Sequence, residues 1–176
     1  MNAPLPLATA NALPAAEFTA RFGAVFEHAP WVAEAAARAR PFASAEALIT
    51  AMLAAMRAGG ATRLDTLLRA HPELGGAAAR AGRLTPASTE EQASLGLATL
   101  EAAHAARLAE ANARYRARFG FPFIIAVRGQ RDPAAILAAL EARLANDQAA
   151  ERATALAEVE KIARFRLAAL LGEETR

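Results

Sequence analysis

The sequence predicts an all-α fold of about seven to nine helices, on three observations. Apolar residues return at helical spacing through nearly every stretch of the chain, and Gly, Pro and small polar caps fall where those runs stop. Only Phe123-Ile124-Ile125-Ala126-Val127 is both β-branched and free of Ala-rich helix formers. No second convincing strand exists to pair with it. An extended apolar segment of about 121–127 is therefore expected inside a helical protein, its backbone groups open to a ligand because no ladder can satisfy them.

Taken in order, Pro14 opens a helix on which Phe18, Phe22 and Phe26 form an aromatic stripe, read as core packing. His28-Ala29-Pro30-Trp31 breaks it and starts a short helix that ends before Pro41, with Trp31 buried beside it. Ser44 caps a helix carrying Leu48, Met52 and Met56, closed by Gly59-Gly60. The next carries Leu64, Leu67 and Leu68 and stops at His71, because a residue preceding proline is pushed out of helical geometry. Gly75-Gly76 and an Ala-rich turn lead to Leu84-Thr85-Pro86. A helix then begins at Ser88-Thr89-Glu90-Glu91, with Leu95, Leu97 and Leu100 on an imperfect face and Gly96 as a break. The pattern resumes to Phe119 through Leu108 and Tyr115. There Gly120 supplies a left-handed stop and Pro122 forbids a restart. Asp132-Pro133 caps a helix carrying Ile136, Leu137, Leu140 and Leu144. Asn146-Asp147 punctuates, and a last long helix runs to Leu171-Gly172.

Bulk composition narrows the function classes. At 176 residues a single domain over 1–176 is expected, with room for a proper core. Ala inflates the 55% hydrophobic content, since mean hydropathy is only +0.15. Lys161 is the sole lysine among 20 basic residues, which reflects coding bias. A pI near 9.9 suits a nucleic-acid binder, but a net charge of +2, interleaved signs and no basic stripe with aromatics speak against nucleic acid. Zero Cys excludes disulfides, thiol chemistry and zinc–thiolate sites. No apolar run reaches bilayer length, so no membrane partner is expected. The stretch MNAPLPLATANALP lacks the basic start and apolar core of a signal peptide, and residues 1–13 are expected to be loosely ordered. The end, Gly172-Glu173-Glu174-Thr175-Arg176, is not a peroxisomal address, which favours the cytoplasm.

Three polar groups sit in awkward places. His71 stands where a helix stops, fixed by Pro72; a satisfied structural imidazole accounts for it, and so does a proton donor or acceptor. Ser88 and Glu91, three apart, read as a capping box that fixes a carboxylate in a first turn, with Glu90 and Gln92 pointing elsewhere. Arg166 falls in the apolar sector of the last helix with Val159, Ile162, Ala163, Leu167 and Leu170, while Lys161 and Arg164 fall on the wet side. An inward guanidinium is costly unless paired. Two readings stand together: an internal salt bridge, with Glu91 a candidate partner, or a receptor for an anionic substrate.

Five segments in order complete the reading: Phe22-Gly23-x-Val25-Phe26-Glu27-His28-x-Pro30-Trp31; His71-Pro72-x-Leu74; Ser88-x-x-Glu91-Gln92; Asn112-x-x-Tyr115-x-x-x-Phe119-Gly120-Phe121-Pro122-Phe123-Ile124; and Lys161-Ile162-x-Arg164-x-Arg166-Leu167. Together they resemble the 2-oxo-4-hydroxy-4-carboxy-5-ureidoimidazoline (OHCU) decarboxylase family of urate degradation, from Phe18 to about Leu170. Two departures stand out: Gly75 where the family usually has Ala, and Ser94-Leu95-Gly96-Leu97, one residue off its Ala-Gly-Leu. The resemblance implies a helical homodimer that decarboxylates OHCU to (S)-allantoin without cofactor or metal. It carries the catalytic histidine onto His71 and its acidic partner onto Glu91. Ligand roles fall on Pro72, Ser88 and Arg166, and backbone contacts on the Phe119–Ile125 loop, at Phe121, Phe123 and Ile125. The alternative from another class is an inactive helical ligand-binding or regulatory module on the same scaffold; a third is a different small-acid lyase.

Overall fold

A computed structural model describes residues 4–76, 86–94, 102–130 and 132–173. Among them the chain forms nine α-helices and one 3-10 turn, and no strand. The helices are α1 (Leu7–Ala12), α2 (Ala15–Phe22), α3 (Trp31–Ala36), α4 (Ala45–Arg57), α5 (Gly60–Ala70), α6 (Pro86–Ser94), α7 (Ala102–Phe119), α8 (Pro133–Arg143) and α9 (Gln148–Leu171). Contacts group them into two compact units, Met1–Leu67 with Ala163–Arg176, and Leu68–Ile162. Both boundaries fall inside helices, α5 and α9.

In the first unit α3 packs on α2 and α4. Phe18 and Phe22 are fully buried with ring centroids 4.6 Å apart, and Phe42 meets Phe18 at 6.2 Å. Phe26 joins this core from the turn after α2, since the helix stops at Phe22 and Gly23 caps it. The expected three-residue stripe is thus two helical residues and one in a turn. Trp31 is half-buried, with its ring against Gly59, where a Cβ would meet it at 2.3 Å. Ser44 caps α4 by accepting from the Ala47 N–H at 3.1 Å.

The lead-in expected to be loose is partly helical, because specific bonds hold it. The Asn11 amide donates to the Phe42 carbonyl at 2.9 Å and accepts from the Phe42 N–H at 2.8 Å. Ala10 is fully buried, and the Leu5 N–H bonds the Leu170 carbonyl at 2.8 Å. One side-chain amide making two bonds and one backbone tether leave no periodic apolar signal, which is why the stretch reads as loose.

The second unit is built on α7. Leu108, Asn112, Tyr115 and Phe119 occupy its inner face, all buried, and α8 packs beside it through Ile136 and Leu140. Gly120 ends α7 at φ +78°, the left-handed conformation that glycine adopts without a Cβ penalty. Asp132 caps α8, accepting from the Ala135 N–H at 2.8 Å, with Pro133 in the first turn. Asp147 does the same for α9 at the Ala150 N–H. Among the described residues no helix is long and apolar enough to cross a membrane.

Candidate active site

His71 follows the last residue of α5, its N–H still bonded to the Leu68 carbonyl at 3.3 Å. Its Nδ1 is buried from solvent. The loop that follows, 71–76, is tied down group by group. The Gly75 N–H donates to Gln92 Oε1 at 3.0 Å, and Gln92 Nε2 reaches the Glu73 carbonyl at 3.4 Å. Asn112 Nδ2 donates to the Leu74 carbonyl at 3.0 Å. Gly75 stands at φ +60° with Leu108 3.1 Å from a would-be Cβ, so this departure from the family pattern suits its backbone. An imidazole on a loop held by two buried amides is placed, not wandering.

The capping-box reading of Ser88 and Glu91 does not hold. Helix α6 begins at Pro86, where proline fits a first turn, so Ser88 lies inside the helix and not at its cap. Three- and four-residue spacing then puts Ser88, Glu91 and Gln92 on one face. Ser88 and Gln92 are buried, Glu91 is half-buried, and Gln92 shows that this face meets the His71 loop. Gln92 therefore does not point elsewhere. The expected turn at Leu84-Thr85, and the Leu95, Gly96, Leu97 and Leu100 pattern with its family departure, lie outside the described residues.

Segment 121–127 is non-helical and wholly buried, with Phe123 and Ile124 fully so. Helix side chains replace the missing strand. Arg143 Nη1 donates to the Ile124 carbonyl at 2.7 Å, and the Ala126 N–H donates to Glu158 Oε2 at 2.8 Å. Gln130 Nε2 bonds the Ala126 carbonyl at 3.2 Å, and Gln148 Nε2 the Phe119 carbonyl at 3.1 Å. Among the described residues, no hydrogen bond engages the backbone of Phe121, Phe123 or Ile125.

Beneath the segment lies a buried network. Tyr115 donates its hydroxyl to Glu151, a fully buried carboxylate that also accepts from Arg143 and, at 2.7 Å, from Asn146 Nδ2. The Arg143 guanidinium lies 4.6 Å from the Phe123 ring centroid. Burial first, then the bond to Glu151, push the Tyr115 hydroxyl well above the usual tyrosine value, while Arg143 pulls the other way. Tyr115 also packs edge-on against Phe121 and Phe123, at 6.0 and 5.3 Å. Asn112 lies three residues before Tyr115, about 4.5 Å along the axis. One stretch of α7 therefore touches both the His71 loop and the extended segment.

Arg166 is buried as its helical sector required, and its carboxylate partner lies in the first unit. Nη1 donates to Glu27 Oε1 at 3.2 Å and to the Val25 carbonyl at 3.1 Å. Lys161 and Arg164 are exposed and partly exposed, as expected of the wet side. Sequence reasoning assigned no role to Gln92, Asn112, Arg143, Glu151 or Glu158. A signal existed for three of them. Asn112 interrupts the Leu108–Tyr115–Phe119 stripe, and Glu151 and Glu158 share the inward face of α9 with Ala155 and Ile162.

The family model described as OHCU decarboxylase matches residues 11–168. A 2-oxo-4-hydroxy-4-carboxy-5-ureidoimidazoline decarboxylase of Haloferax volcanii is 41% identical over 170 residues, covering 97% of this chain and 98% of that protein. The Bos taurus protein of that name is 43% identical over 164 residues, covering 93% and 96%. A crystal structure of an OHCU decarboxylase in the presence of (S)-allantoin superposes with a TM-score of 0.68 at 28% identity, over 89% of this chain and 98% of that one. With near-complete coverage on both sides, the chain belongs to the OHCU decarboxylase family.

Proposed function

We propose that this protein decarboxylates OHCU to (S)-allantoin in urate degradation, without a cofactor, as a cytoplasmic homodimer that binds neither membrane nor nucleic acid. The observation that carries the chemistry is the seating of His71. Its loop is fastened by Asn112 of α7 and by Gln92, which lies on the face of α6 that also carries Ser88 and Glu91. A proton donor is useful only at a fixed distance from the reacting carbon, and this loop supplies fixity.

In OHCU the carboxylate sits on a carbon next to a ring C=N. When the bond to the carboxyl carbon breaks, CO₂ leaves and its electron pair enters the ring, as in a β-keto acid. His71, oriented by Glu91, delivers the proton that quenches the enamine-like intermediate on one face, which sets a single enantiomer. Pro72 and Ser88 line the substrate's approach. The backbones of Phe121, Phe123 and Ile125 receive the ureido arm, consistent with their lack of protein hydrogen bonds among the described residues.

The test follows optical rotation after adding freshly generated OHCU. Wild type gives optically active allantoin. His71→Gln lowers kcat by about 10²–10⁴, the usual worth of one positioned acid–base group. A variant within a few-fold of wild type would rule out the proton-shuttle role, and racemic product at the uncatalysed rate from wild type would rule out the activity. Sedimentation velocity at twice the monomer mass checks the dimer.

A further inference from the structure

The extended segment has two edges, and the protein itself occupies one. In an extended backbone the N–H and C=O of one residue point to one side, and those of the next to the other. The bonding follows that alternation: Ile124 and Ala126 take side-chain partners, while among the described residues no hydrogen bond engages the backbone of Phe123 or Ile125. The bonds from Arg143, Glu158 and the Gln130 side chain all land on Ile124 and Ala126.

The groups that make these bonds are themselves held. Glu151 and Glu158 lie seven residues apart on α9, two turns along one face and about 10 Å in rise. Glu158 reaches the segment directly, its second oxygen bonded to Lys161 Nζ at 2.6 Å. Glu151 reaches it through Arg143, whose guanidinium it seats and whose plane the Phe123 ring backs. Each buried carboxylate is costly to desolvate, and each sends one link to this run of backbone, Glu158 directly and Glu151 through Arg143. Their effect is to fix which residues keep backbone groups without a protein hydrogen bond, Phe123 and Ile125 among the described residues.

We propose that Glu158, and Glu151 acting through Arg143, are positioning residues for decarboxylation: by holding the Ile124/Ala126 edge they present the Phe123/Ile125 edge to the ureido arm of the substrate. This rests on the decarboxylase reading above. Neither carboxylate touches the reacting carbon.

The test compares Glu158→Ala, which removes the acceptor, with Glu158→Gln, which keeps an oxygen for the Ala126 N–H. Glu158→Ala raises the KM for OHCU and the inhibition constant of (S)-allantoin by about tenfold with kcat changed far less, the pattern of lost binding that is uniform along the reaction. Glu158→Gln recovers most of that loss. Wild-type constants in Glu158→Ala, or a Gln variant as impaired as Ala, overturn the proposal. If Glu158→Ala does not fold, amide hydrogen exchange on the wild-type protein decides. The Ala126 amide exchanges slowly with or without (S)-allantoin, while those of Phe123 and Ile125 slow only when it is bound; any other pattern overturns the proposal. Failure of wild type to turn over OHCU sinks the decarboxylase reading instead, so the two failures are distinguishable.

Discussion

Tyr115 is the only tyrosine in the chain, so its ionisation can be read alone by absorbance. Its hydroxyl is buried and donates to Glu151, and both effects favour the neutral form. Below the ordinary value of 10.0 folded and unfolded chains both keep the proton, and the contribution to stability is complete. Above it the unfolded chain loses the proton while the folded one holds it, so stability falls as pH rises past that point. The expected result is no tyrosinate signal near pH 10 while the protein stays folded, with the signal appearing together with alkaline unfolding. A normal titration in the folded protein would contradict the buried network. Arg166 gives a second prediction of this kind. Arg166→Leu takes a guanidinium away from the buried Glu27 carboxylate, and a loss of about 3–5 kcal/mol is expected from urea denaturation. Adding Glu27→Gln should return much of it, because the buried negative charge is removed. The inward position of Arg166 was legible from helical periodicity. Its partner was not, since Glu27 lies 139 residues away in sequence and local spacing cannot reach that far.

At the level of elements, breakers and caps were read well where their chemistry is local. Ser44, Asp132, Gly120 and the His71-Pro72 stop all act on neighbours within four residues. Asp132→Ala should therefore cost about 1 kcal/mol, measured by thermal or urea unfolding, with no change in the segment beside it. The start of α6 was misread for an instructive reason. Ser-x-x-Glu fits a capping box, but Pro86 two residues earlier also fits a first turn, and sequence alone does not rank them. The helix took the earlier start, which turned Ser88 and Gln92 inward. The extended segment shows the opposite case. Its β-branched run was plain in the sequence, yet the groups that satisfy it come from α8, α9 and a following turn, and side chains stand in for a partner strand.

For the whole molecule, a single cooperative domain remains a proposal, and the chain carries the probes to test it. Trp31, the only tryptophan, lies in the first compact unit, and Tyr115, the only tyrosine, in the second. Urea transitions followed by Trp31 fluorescence and Tyr115 absorbance should coincide in midpoint if the chain unfolds as one domain. Separate midpoints would show that the units unfold independently. The sequence by itself determined the helical class, most helix ends, the lone extended run and the inward face of Arg166. These follow from backbone propensity and from periodicity within a few turns. Only the tertiary structure decided that Glu27 meets Arg166, that Gln92 and Asn112 fasten the His71 loop, and that Glu151 and Glu158 hold the extended segment. Those choices depend on which distant side chains burial brings within hydrogen-bond reach, and no local pattern encodes that distance.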